Sequence, residues 1–166
     1  MDIEAKIKDI CESPDKSWCK NGGLLSEELS PYLKEHPEEV ETLIKAFMKY
    51  ERHHKLGIPA DLLCIMDESI VINYINTNPM DENYLYVAME ALRQVKPELA
   101  REKANVLMEQ HFNNSAFMEI VIDTFNELRD KKVLREIQEK ASGWIKEYAK
   151  DAIKEIEELE EYEKNS

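Results

Sequence analysis

Two residues near the middle of the chain have the types and spacing of a metal-ligand pair or an acid–base pair. Glu51 and His54 form a Glu-x-x-His sequence, which places a carboxylate and an imidazole on one face of a helix. Di-iron bundle proteins combine two such sequences with two further glutamates, whereas this chain contains a single one. We therefore expect no metal and no cofactor here, but a histidine stabilised by a neighbouring acid and by the helix C-terminus.

Asp67 is the other residue with catalytic potential, because the sequence predicts that it lies on the inward side of an apolar helix from Pro59 to Thr77. A buried carboxylate without a partner is costly and takes up a proton instead. The expected partners are Arg52, His54 or a tyrosine hydroxyl. A satisfied polar contact between helices is the favoured interpretation, and the alternative is a small enzyme whose catalytic residues are Glu51, His54 and Asp67.

Other sequence signatures of catalysis are absent from the chain. There is no Gly-rich phosphate loop and no Gly-x-Ser-x-Gly sequence, the patterns that bring a phosphate or a serine nucleophile to the start of a helix. The cysteines and histidines show no spacing that indicates a nucleophile and its base. The sequence therefore predicts a protein that is not an enzyme.

The chain is strongly acidic, with a formal net charge of −13. Nucleic acids and anionic membrane surfaces both attract clustered Lys and Arg, so neither is an expected partner. The 37 residues from Leu56 to Leu92 contain no Lys or Arg. This acidic stretch is predicted either to be a solvated face that aids solubility or to dock a basic peptide or protein. Its candidate binding residues are Asp61, Asp67, Glu68, Glu82 and Glu90.

The C-terminal helix is the second candidate interaction element, predicted over residues 131–162 and about 48 Å long if unbroken. An Ala-x3-Ile-x2-Tyr pattern that begins at Ala141 recurs eleven residues later as Ala-x3-Ile-x2-Leu, which keeps an apolar seam straight along a helix. The helix is predicted either to pack on its own domain, with a break at Gly143, or to overhang it and pair with another protein or with a second copy as a homodimer. The candidate binding residues of the seam are Ile145, Tyr148, Ile156 and Leu159.

Four prolines divide the middle of the chain at intervals of about 20 residues. Pro37, Pro59, Pro79 and Pro97 each lie at or just before an apolar-periodic segment, and proline is best tolerated in the first turn of a helix. The pattern predicts an all-α fold whose helices are joined by short links and lie antiparallel. Two architectures fit: an antiparallel multi-helix bundle, or a short helical stack that resembles HEAT or armadillo repeats in its period. Each would end in the long C-terminal helix.

At 166 residues the chain is expected to form a single all-helical domain. We expect a helix and loop over residues 1–25, a helical stack over 26–130, and the long helix with its acidic tail over 131–166. The first helix is predicted from Asp2 to Cys11, with Trp18 in the loop that follows. Asp81 and the turn over residues 113–115 are predicted to cap later helices.

Composition predicts a cytoplasmic protein. No apolar run approaches the roughly 18–20 residues of a membrane span, and the N-terminal segment is charged and lacks the apolar stretch of a signal peptide. Three cysteines are too few for a secreted disulfide scaffold. The expected function is a non-catalytic protein-binding or assembly module that uses an acidic helical surface, and the alternative is an acidic inhibitor or mimic that blocks a basic target.

Overall fold

A computed structural model describes residues 1–12, 18–50, 66–77, 79 and 81–166, with side chains for all of these except 18–26. Every regular element in these ranges is helical and none is a strand, which confirms the all-α fold class. The described helices are α1 (Ile3–Glu12), α2 (Trp18–Glu35), a 3₁₀ turn (Pro37–Glu39), α3 (Val40–Tyr50), α4 (Glu68–Asn76), α5 (Glu82–Val95), α6 (Pro97–His111), α7 (Ser115–Glu127), α8 (Lys131–Lys140) and α9 (Gly143–Lys164).

The helices group into two compact units, Met1–Val95 and Lys96–Ser166. In the first unit α3 packs against α1 and α5, and α4 packs against α2 and α5. In the second unit α7 packs against α6, α8 and α9, and α8 also packs against α9. The single domain with its divisions at residues 25 and 130 stays a prediction, as does the choice between a bundle and a repeat stack.

Most described helices begin where the sequence predicts a cap or a proline. The Oδ1 atom of Asp2 accepts a hydrogen bond from the Ala5 backbone N–H at 3.0 Å. Asp81 accepts one from the Asn83 N–H at 3.0 Å, and Asn114 accepts one from Ala116 at 3.0 Å. These side chains satisfy backbone N–H groups that have no partner inside the helix. The predicted starts of α1, α5 and α7 are therefore confirmed.

The start of α2 differs from the prediction. The helix begins at Trp18, so the predicted loop through residue 25 is wrong for residues 18–25, and Pro31 lies inside the helix. Two glycines, at 22 and 23, lower helix stability by about 1 kcal/mol each but do not forbid a helix. Leu29 and Leu33 are fully buried, and we attribute the helix to this packing, because tertiary contacts supply most of the stability of helices in proteins.

The predicted C-terminal helix is not continuous. α8 ends at Lys140, and α9 begins at Gly143 after two residues with extended backbone. Gly143 has a φ of +60°, a conformation that glycine adopts without steric cost. The break allows α9 to fold back against α8 and α7. The expected unbroken helix of about 48 Å is therefore wrong, and α9 alone has 22 residues.

Candidate protein-binding surface

The residues predicted for catalysis do not form a described active site. Glu51, His54 and the predicted binding residue Asp61 lie outside the described residues. In the part of the chain that the structure describes, no group of three or more His, Cys, Asp or Glu side chains could hold a metal ion.

Asp67 is the N-cap of α4, so the prediction that it lies in the middle of a helix is wrong. Its carboxylate accepts hydrogen bonds from the Ile70 backbone N–H at 3.2 Å and from the Ser69 hydroxyl at 2.5 Å. The Lys34 ammonium lies 3.1 Å away, in place of the partners expected from the sequence. Although burial favours the protonated form, the bonds from Ser69, Lys34 and Ile70 together lower the pKa of Asp67. These contacts give Asp67 a capping role.

Three of the predicted acidic docking residues lie at the starts of two different helices. Asp67 and Glu68 begin α4, whereas Asp81 and Glu82 begin α5. Asp81 acts electrostatically on Tyr74 near the other end of α4, a helix about 13 Å long. Glu90 is half-buried and already interacts within the chain. The described residues of the acidic stretch therefore start different helices or already interact within the chain, and their role in docking stays a prediction.

Most of the predicted seam of α9 belongs to the core of the second unit. Ile145 is 7% exposed and Ile156 is fully buried, so the expectation that these two side chains overhang the protein body is wrong. They share the inward face of α9 with Ala149, Ala152 and Ile153. Tyr148 is half-buried, and Leu159 is 43% exposed. The sequence pattern therefore combined inward and outward residues.

Polar contacts hold both edges of this inward face. On one edge, Lys131 pairs with Glu160 at 2.5 Å and Arg135 pairs with Glu157 at 3.3 Å. On the other edge, the Tyr148 hydroxyl donates to Asp123 at 2.5 Å. The Lys131 ammonium lowers the pKa of the Glu160 carboxyl. Together with the buried residues of the inward face, these contacts define which residues of α9 face outward.

Beside the edge where Tyr148 contacts α7, one side chain per turn of α9 faces outward. These side chains form a continuous line along the helix, which we call the α9 strip. Its successive members are four, three, four, four and three residues apart, which averages to the 3.6-residue period of a helix. Its length is about 27 Å at 1.5 Å per residue. The members are Trp144, Tyr148, Asp151, Glu155, Leu159 and Tyr162.

The two ends of the strip expose apolar and aromatic surface. Trp144 is 48% exposed and stacks on the Tyr148 ring, with 4.7 Å between the ring centroids. At the other end Leu159 is 43% and Tyr162 is 74% exposed. Tryptophan and tyrosine are the residue types that most often carry binding energy at protein interfaces.

Two carboxylates occupy the middle of the strip. Asp151 and Glu155 are both exposed, and the neutral amide of Asn126 donates to Glu155 at 2.9 Å. At about 100° per residue, the lysines of α9 lie 100° to 180° around the helix from Glu155, at positions 146, 150, 154 and 164. The strip therefore presents negative charge between two apolar ends.

A surface cavity of about 200 Å³ adjoins the Trp144 end of the strip. The α6–α7 corner and the α8–α9 corner line it together. It contains one ionisable side chain, that of Lys140, and no acid–base pair. Its lining residues are Phe112, Asn113, Ser115, Lys140, Ala141, Ser142, Trp144 and Ile145.

Two of the six strip residues, Tyr148 and Leu159, are among the candidate binding residues predicted from the sequence, and the other four are not. The 3.6-residue spacing was present in the sequence as a signal. It did not identify the strip, because the inward face of α9 follows the same period and only the contacts with α7 and α8 distinguish the two.

Comparison with known proteins found no matching family model, no matching curated protein and no matching solved structure. Among the described helices, none is long and apolar enough to cross a membrane.

Proposed function

We propose that the protein is a non-catalytic protein-binding module and that the α9 strip docks a partner carrying both basic and apolar side chains. The observation that carries the proposal is the strip itself: exposed aromatic and aliphatic residues at both ends, with two carboxylates between them. The binding would take place in the cytoplasm, the compartment that the composition favours.

The exposed apolar residues support a binding role. Trp144, Leu159 and Tyr162 lie on one line of a helix whose neighbouring face is already packed. Large apolar side chains that are exposed together mark an interaction site more often than single scattered ones do. A partner that covered them would gain free energy from burying the exposed part of each of these three side chains.

Charge favours a basic partner. The chain has a net charge of −13, which would attract a positively charged protein and speed its association. Asp151 and Glu155 would pair with lysine or arginine of that partner. Arginine would also pack on the exposed aromatic rings through cation–π contact.

A second copy of this chain fits the strip less well. In a two-fold pairing of strips, the central carboxylates Asp151 and Glu155 would face the same carboxylates of the other copy. Like charges at the centre of an interface oppose association. We therefore favour a different, basic protein over the homodimer predicted from the sequence.

Site-specific photocrosslinking in an extract of the cells that make the protein tests the proposal. A photoreactive phenylalanine replaces Tyr162 in the strip, and the control carries it at Lys132, an exposed residue of α8. We expect the Tyr162 variant to form an adduct at a Lys- or Arg-rich segment of another protein, and the Lys132 variant not to form it. If position 162 gives no such adduct, or both positions give the same ones, the proposal is wrong.

A further inference from the structure

We infer that the partner segment is an amphipathic helix whose contact face carries apolar residues, then a pair of basic residues, then apolar residues. This inference rests on the proposed function and specifies the chemistry of the partner. It follows from the order of side chains along the α9 strip: Trp144 and Tyr148, then Asp151 and Glu155, then Leu159 and Tyr162.

The spacing of these three pairs sets the spacing in the partner. The two carboxylates are four residues apart, about 6 Å along the helix axis. Each apolar pair is centred about 10–11 Å from the midpoint of the carboxylates. A partner helix packed alongside has the same rise per residue, so its basic pair would be three or four residues apart. Its apolar contacts would lie about seven residues to either side.

An extended partner segment would gain less from the strip than a helix would. Strand addition takes its affinity from main-chain hydrogen bonds to an exposed edge. The backbone of α9 is hydrogen-bonded within the helix, so the strip offers no edge to which a strand could add. We therefore expect the partner segment to bind the strip by side-chain packing between two helices.

The order of apolar, acidic and apolar pairs along the strip distinguishes this partner from other molecules that could cover the strip. A second copy of the strip carries acidic residues where basic residues are required, so it mismatches at the centre. A uniformly basic segment would satisfy Asp151 and Glu155, but it would place lysine ammonium groups against Leu159 and Tyr162 and leave apolar surface uncovered. Only a segment that is basic in its middle and apolar toward both ends covers all three pairs.

The test uses two synthetic helical peptides of about 22 residues, long enough to span the strip. Both have the same composition. The ordered peptide carries leucine pairs around a central Lys–Arg pair on one face, and in the shuffled peptide the basic residues stand at the ends and the leucines in the centre. Fluorescence anisotropy of each labelled peptide, titrated with the full chain, gives its affinity. We expect the ordered peptide to bind at least ten-fold more tightly than the shuffled peptide.

A charge exchange controls for non-specific attraction. The variant Asp151→Lys/Glu155→Lys should lose its affinity for the ordered peptide. It should instead bind a third peptide whose central pair is glutamate. Equal affinities for the ordered and shuffled peptides, or no binding of either, would overturn the inferred partner helix. The proposed binding function is tested separately by photocrosslinking. It is wrong if the Tyr162 variant forms no adduct with a basic partner.

Discussion

Ile156→Ala is expected to lower the free energy of unfolding of the second unit by about 3 kcal/mol, within the range seen for such core truncations. Ile156 is fully buried on the inward face of α9. Removing three methylene-sized groups from this position loses their burial and leaves a cavity that close-packed neighbours fill only in part. Urea denaturation monitored by circular dichroism measures the change.

Leu159→Ala is the matched control, because it lies on the same helix less than one turn further along and is 43% exposed. We expect it to change the free energy of unfolding by less than about 1 kcal/mol, as surface substitutions usually do. If Leu159→Ala destabilised the protein as much as Ile156→Ala, the assignment of inward and outward faces on α9 would be wrong.

The second large effect is loss of stability at alkaline pH, caused by Tyr74. This side chain is 2% exposed, and its hydroxyl donates to Glu41 at 3.0 Å. Burial, and then the Glu41 carboxylate, raise the pKa of Tyr74 well above its ordinary value. In the unfolded chain the hydroxyl ionises near pH 10. The folded protein therefore keeps a proton that the unfolded chain releases, and stability should fall by up to about 1.4 kcal/mol for each pH unit above 10.

Tyr74→Phe isolates this contribution from those of the other tyrosines. Below pH 10 the variant should lose about 1 kcal/mol, the usual value of one hydrogen bond. Between pH 10 and 12 its stability should decrease less steeply than that of the original chain, because phenylalanine does not ionise. Urea denaturation at several pH values measures both slopes. Parallel slopes would show that Tyr74 ionises as readily in the folded protein as in the unfolded chain.

The sequence predicts helix starts well because a cap is a local interaction. Asp81 and Asn114 each accept a backbone N–H within three residues of themselves, so no distant contact is needed to recognise them. The same argument explains the error at Asp67. The prediction for Asp67 rests on its position in an apolar pattern, whereas in the structure its carboxylate is the N-cap of α4.

The long-range features could not be predicted in the same way. Gly143 was recognised as a breaking point, but whether α9 folds back depends on the area that Ile145 and Ile156 bury against α7 and α8. The start of α2 likewise depends on how Leu29 and Leu33 pack. Such contacts join residues far apart in sequence, so local periodicity cannot decide between a helix that folds back and one that extends.

The candidate surface could be predicted only in part, because it too depends on contacts between residues far apart in sequence. The sequence predicts interaction residues on the C-terminal helix and a basic partner, and both predictions enter the proposal. It could not distinguish the inward Ile156 from the outward Leu159, because both follow the helical period. The packing of the inward face against α7 and α8, with polar contacts of Tyr148 and of Lys131 and Arg135 at its edges, separates them.

Reversing the central charge of the strip is the decisive test of its role in binding. The full chain and two double variants are immobilised, and the proteins captured from an extract of the cells that make the protein are quantified by mass spectrometry. The first variant is Asp151→Lys/Glu155→Lys, and the control is Glu136→Lys/Glu139→Lys. The control changes the net charge equally on two exposed residues of α8.

We expect that at least one protein with a basic helical segment is captured ten-fold less by the strip variant than by the original chain, while the control variant captures it undiminished. Circular dichroism should show that both variants remain folded. Equal capture by the original chain and the strip variant, or equal loss in both variants, would contradict a specific binding role for the α9 strip.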